Sequence, residues 1–133
     1  GRVPAATAFR VACAGRELDG ERIQEEDFQR YWEHASLMDP DVFLRMLQHA
    51  GEHDAREFLP DVDVPTLVVA AEHDTFTPMA LAEEMAMAIP NAELEVVEEA
   101  SHAAPVEQPG RIAERIEDFL STRLGLPRPP LSV

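Results

Sequence analysis

Residues 65–78 read Pro-Thr-Leu-Val-Val-Ala-Ala-Glu-His-Asp-Thr-Phe-Thr-Pro, and this stretch constrains the fold more than any other in the chain. Thr66–Ala70 is an apolar, partly β-branched run, as expected for a parallel strand buried on both faces. The run ends in an acidic turn carrying Asp74, and Pro78 then opens a helix. Leu81, Met85, Ala88 and Ile89 repeat along one face of that helix, and Pro90-Asn91 ends it. Leu94–Val97 supplies a second strand, and His102 follows, 28 positions after Asp74. A helix from Arg111 to about Arg123 closes the unit, with Ile112, Ile116, Phe119 and Leu120 expected inward. Strand, helix and strand in this order make a βαβ unit with a right-handed crossover and parallel strands. Asp74 and His102 then lie just beyond the carboxyl ends of neighbouring strands, on one edge of the sheet.

The preceding residues read as helical. Thr7 to Ala14 fits a short helix, and from Glu21 to about Ser36 the residues Ile23, Phe28, Tyr31 and Trp32 fall on a helical stripe. Asp39 is placed as an N-cap with Pro40 at the first helical position, a pairing that starts a further helix. Its stripe is Phe43, Leu44, Met46, Leu47 and Ala50, and Gly51 is the expected stop. A short segment, Asp54 to Phe58, leads to Pro60. Three regions result: a helical segment over 1–58, a βαβα unit over 59–124, and a Pro-rich tail over 125–133 that is expected to be extended or disordered.

Eleven basic against twenty-six acidic residues leave a net charge of −15. Nucleic acid is excluded as a partner on this basis, because binding it needs a basic surface to displace counterions. Anionic membrane surfaces are excluded for the same reason. Cys13 is the only cysteine, so no intrachain disulfide or multi-cysteine metal site can form, and a small apolar thiol is its expected role. No apolar run reaches the roughly 18–20 residues of a membrane helix. The chain opens on Gly1 rather than Met, as a processed or cloned terminus would, and no secretory leader is seen. A soluble, cytoplasmic protein is the expectation.

From about Leu59 to Leu120 the chain resembles the C-terminal half of an α/β-hydrolase, in which the acid follows a late parallel strand and the histidine follows the last one. The family's glycine-Glu-x-Asp turn stands here as Ala71-Glu72-His73-Asp74. Its glycine-His ending, with a proline seven residues after the histidine, stands as Ser101-His102-Ala103-Ala104-Pro105-Val106-Glu107-Gln108-Pro109. Ala71 and Ser101 thus occupy the two glycine positions. The resemblance implies a partial α/β-hydrolase fold, with residues 1–58 as a cap or lid ahead of the core. It further implies that His102 takes a proton from an attacking nucleophile and that Asp74 holds the imidazole tautomer. The substrate class implied is a small ester or related acyl compound, and no cofactor is needed.

The third member of such a triad, a nucleophile on a G-x-S-x-G elbow, is not found in these 133 residues. The chain's serines are Ser36, Ser101, Ser121 and Ser132, and none lies in such a turn. The expectation is a C-terminal portion of a serine-type hydrolase, inactive without an N-terminal half that carries a Ser or Asp nucleophile. Glu72, Glu98 and Glu99 lie close enough to the two strand ends to stand in for Asp74. Two alternatives belong to other classes. His49-Ala50-Gly51-Glu52-His53 fits H-x-x-E-H, the spacing of an inverted zinc metallopeptidase motif. A non-catalytic binding or assembly module is the other, with an apolar groove bordered by Met38, Phe43, Met46, Leu47 and Phe76. Two strands are too few for an independent sheet, so self-association through strand edges, or pairing with an N-terminal hydrolase half, is expected.

Overall fold

The computed structural model describes residues 4–15, 18–23 and 25–128. Three helices come first: α1 (Ala5–Ala14), α2 (Glu25–Ala35) and α3 (Pro40–Glu52). A single 3-10 turn (Leu59–Asp61) leads into β1 (Thr66–Ala71), and α4 (Met79–Ala88) crosses over to β2 (Ala92–Val97). The short α5 (Ala104–Glu107) and the long α6 (Pro109–Leu124) complete the described chain. The fold class is α/β, as the sequence implied.

β1 and β2 pair in parallel, with Thr66 opposite Ala92 and Ala71 opposite Val97. In-register pairing places Leu67, Val69, Ala71, Glu93, Glu95 and Val97 on one face. On that face Ala71 and Val97 form a core cluster with Ala100 and Ala104, against which Ile112 of α6 packs. The same face carries a charged lattice. The Arg115 guanidinium reaches Glu93 and Glu95, Arg111 reaches Glu95 at 3.4 Å, and Arg123 reaches Glu93 at 3.0 Å. Gly125 adopts φ 66° and donates its N–H to Ser121 O while Leu126 N–H donates to Leu120 O, which closes α6 with a left-handed residue that glycine adopts without strain.

β1 departs from the expectation of burial on both faces. Val68 and Ala71 are its only buried residues, and Val69 is 38% exposed. The reason is architectural: among the described residues the sheet has two strands, so the outer edge of β1 has no neighbouring strand. α3 departs further. Asp39 does cap it, accepting from the Asp41 and Val42 N–H groups, with Pro40 at the start. Its apolar stripe nevertheless contains no buried residue, and the helix runs past Gly51 to Glu52. α6 turns Phe119 inward, but Ile116 remains 41% exposed.

A second core cluster is built from Ala8, Ile23 and Phe28, with Phe9, Leu18, Trp32 and Ala103 against it. Phe9 meets Phe28 edge-on at 4.9 Å between ring centroids. The stripe read across Glu21 to Ser36 is therefore only part of this core. Ile23 and Phe28 are buried, while Tyr31 is 64% exposed. Because Ala103 belongs to this cluster, the N-terminal helices pack against the loop that carries His102.

Candidate active site

Backbone hydrogen bonds lock the ends of the two strands together. Glu72 N–H donates to Val97 O at 3.1 Å and His73 N–H to Ala100 O at 2.9 Å. The acid turn and the histidine loop thus form one platform at the carboxyl edge of the sheet. Neither Ala71 nor Ser101 has a positive φ, so replacing the family's glycines imposes no strain there. Among the described residues the left-handed non-glycine position is Glu99, at φ 55°.

Asp74 is placed by its own turn. Its Oδ1 accepts the N–H groups of Phe76 and Thr77, each at 2.8 Å. Its Oδ2 accepts the Thr77 hydroxyl at 2.7 Å. The remaining partner of Oδ2 is His102 Nδ1, at 3.0 Å. Partial burial pushes the Asp74 carboxyl up, but the Thr77, His102 and Phe76 hydrogen bonds outweigh it and hold the pKa at about 2. An ionised carboxylate can only accept, so His102 Nδ1 carries the proton and Nε2 is left as the basic nitrogen. The Asp74 side chain is 9% exposed and that of His102 48%. Phe76 lies against the imidazole, with 5.0 Å between ring centroids. The two residues singled out in the sequence, 28 positions apart, are in direct contact.

The other candidates are placed elsewhere. Ser101 is buried and donates its hydroxyl to Glu107. Ser36 donates its hydroxyl to Glu33 O at 2.8 Å, and Ser132 lies outside the described residues. Glu72 is exposed and accepts the Glu99 N–H at 2.9 Å. Burial, and then the Asp19 carboxylate, push the Cys13 thiol up, away from thiolate character.

In the H-x-x-E-H segment, His49 Nδ1 stands 3.7 Å from Glu52 Oε2. His53 is the extended C-cap residue of α3, so the two histidines do not share a helical turn. The three-ligand cluster found among the described residues is instead Glu72, His73 and Glu99, whose ligand atoms lie within 4.8 Å of one another and which are all exposed. A cleft of about 710 Å³ is lined by this cluster and Asp74 together with Cys13, Leu18 and Asp19. No helix among the described residues is long and apolar enough to cross a membrane.

Sequence reasoning passed over Thr77 and Glu107, and it read Phe76 as the border of an apolar groove. Thr77 had a signal: an Asp followed by Thr three residues later, ahead of a helix, is the spacing of a side chain that gathers local N–H groups. Glu107 had none that was local, since one of its partners, Asp19, is 88 residues away.

A parallel strand pair with an acid–histidine contact off one edge is the arrangement that the sequence resemblance implies. The family profile of the TAP-like proteins matches residues 45–128, and the chain belongs to this α/β-hydrolase family. Mouse monoacylglycerol lipase ABHD6 is 27% identical over 81 residues, which cover 61% of this chain and 24% of that protein. Non-heme chloroperoxidase CPO-A1 of Kitasatospora aureofaciens is 33% identical over 84 residues, covering 62% of this chain and 30% of that protein. The crystal structure of CarC, a serine hydrolase involved in carbazole degradation, superposes with a TM-score of 0.72 at 24% identity, over 90% of this chain and 48% of CarC. The chain spans about a quarter to a third of the length of the curated relatives named here.

Proposed function

We propose that this chain supplies the acid and the base of a serine-type α/β-hydrolase triad acting on an ester or related acyl substrate. The observation that carries the reading is the 3.0 Å contact between Asp74 Oδ2 and His102 Nδ1. With Nδ1 committed to Asp74, Nε2 takes the proton of a nucleophile attacking the acyl carbonyl and returns it to the leaving group. Asp74 stabilises the imidazolium between those steps. The nucleophile and the oxyanion donors come from an N-terminal hydrolase half. The mouse relative's name, monoacylglycerol lipase, favours an ester as the acyl substrate.

Hydrolysis of short p-nitrophenyl esters tests this, with the chain alone and mixed with the polypeptide encoded immediately upstream. Activity in the mixture, lost in His102→Ala, is the expected result. Activity of the mixture that survives His102→Ala rules the reading out.

One observation favours a second reading, an assembly module. Val42, Phe43, Leu44, Met46 and Leu47 of α3 are all exposed, and so is Phe76 at the site. Apolar area of this kind marks interaction surfaces. Ligand binding or association that persists in Asp74→Asn and His102→Ala, with no turnover in any mixture, would favour the module.

A further inference from the structure

Glu107, at the end of α5, is a buried carboxylate outside the Asp74–His102 couple, 7% exposed. Its Oε2 accepts the Ser101 N–H at 2.8 Å. Its Oε1 accepts the Asp19 N–H at 2.7 Å and also the Ser101 hydroxyl. The Ser101 Oγ in turn accepts the Ala103 N–H at 3.2 Å. The backbone on both sides of His102 is thus tied to one carboxylate, directly at Ser101 and through Oγ at Ala103.

Burying a carboxylate is costly unless its oxygens are satisfied, and here three donors converge on two oxygens. Only a carboxylate meets that demand. A glutamine offers one acceptor atom, and its amide NH2 would face one of the donors. The same loop is held twice more from the N-terminal side. Arg22 Nη1 donates to Glu99 O at 2.8 Å, and Ala103 sits against the Ala8, Ile23 and Phe28 cluster.

We infer that Glu107 is a positioning residue for His102: it fixes Ser101 and Ala103 so that the imidazole presents Nδ1 to Asp74, and it fastens this loop to Asp19 in the α1–α2 connection. The catalytic importance of this brace rests on the triad reading above. Its geometry does not. The imidazole itself never touches Glu107, so the effect passes through the backbone on either side of the ring. By the same route, displacement of the α1–α2 connection releases one of the three donors and loosens the histidine loop.

The test is a long-range 1H–15N correlation spectrum of the whole chain, which reports the nitrogen that carries the neutral imidazole's proton. The wild type is expected to show His102 protonated at Nδ1. In Glu107→Gln the ratio of Nδ1-protonated to Nε2-protonated His102 is expected to fall several-fold, and Ser101→Ala, which removes the hydroxyl bond to Glu107 and the Oγ acceptor of the Ala103 N–H but leaves the Ser101 and Asp19 N–H groups on the carboxylate, should shift it the same way by less. A folded Glu107→Gln with an unchanged tautomer ratio overturns the inference, however far its melting temperature drops. If Glu107→Gln does not fold, a folded Ser101→Ala with an unchanged ratio overturns it. A wild type without the Nδ1 proton would instead sink the triad reading, so the two failures are separable.

Discussion

The Thr77 hydroxyl donates to Asp74 Oδ2 at 2.7 Å, to the same oxygen that receives His102 Nδ1 at 3.0 Å. Thr77 therefore shares the work of keeping Asp74 ionised and aimed. Thr77→Val keeps the shape and removes the donor. The Asp74 carboxyl is expected to titrate higher, toward the ordinary carboxylate range, with the fold intact. A pH titration of the Asp74 side-chain carbon by NMR checks this.

Acid stability follows from the same carboxylate. Asp74 is held at about 2 in the folded chain, against 3.8 for an unperturbed aspartate. The unfolded chain therefore binds the proton more readily, and acid favours unfolding. The stabilisation is complete above pH of about 4 and is lost as pH falls through about 2, amounting to at most about 2 kcal/mol. Urea midpoints of the wild type should fall across this window, and those of Asp74→Asn should lack this component.

Val97 has no exposed surface and lies at the centre of the cluster with Ala71, Ala100 and Ala104. Val97→Ala removes two methyl groups' worth of buried volume and is expected to cost about 1–3 kcal/mol. Chemical denaturation should show a lower midpoint with an unchanged slope.

Arg115 lies between two carboxylates of β2, and its side chain is 20% exposed. Arg115→Ala removes the cation shared by Glu93 and Glu95 and leaves them to Arg123 and Arg111. The expected loss is about 1 kcal/mol at low salt, shrinking as salt is raised. Denaturation at two ionic strengths reads this directly.

Most of the α/β architecture could be read from the sequence because local rules and tertiary context agree there. Thr66–Ala70 was placed to within one residue of β1. The start of β2 was missed by two residues, because Glu93 alternates with apolar neighbours and reads as polar until Arg115 and Arg123 are seen to pair with it. Asp39-Pro40 marked the start of α3 through its cap, but Gly51 did not stop the helix. A glycine in an exposed helix costs only about 1 kcal/mol relative to alanine and can be carried. The apolar stripe of α3 gave the helix and misgave its surroundings, since periodicity says which face is apolar and not whether anything covers it.

At the site, Asp74 and His102 were legible because strand ends converge on one edge of a parallel sheet. Thr77 was legible in principle from its spacing to Asp74. Glu107 was not, because its meaning depends on Asp19, at the other end of the chain.

The most direct test of the account is the protonation site of His102 in the wild type and in Asp74→Asn. Nδ1–H is expected in the wild type, with the proton redistributing toward Nε2 in the variant as the carboxylate acceptor is lost. His102 protonated at Nε2 in the wild type, or a tautomer indifferent to Asp74→Asn, would contradict it.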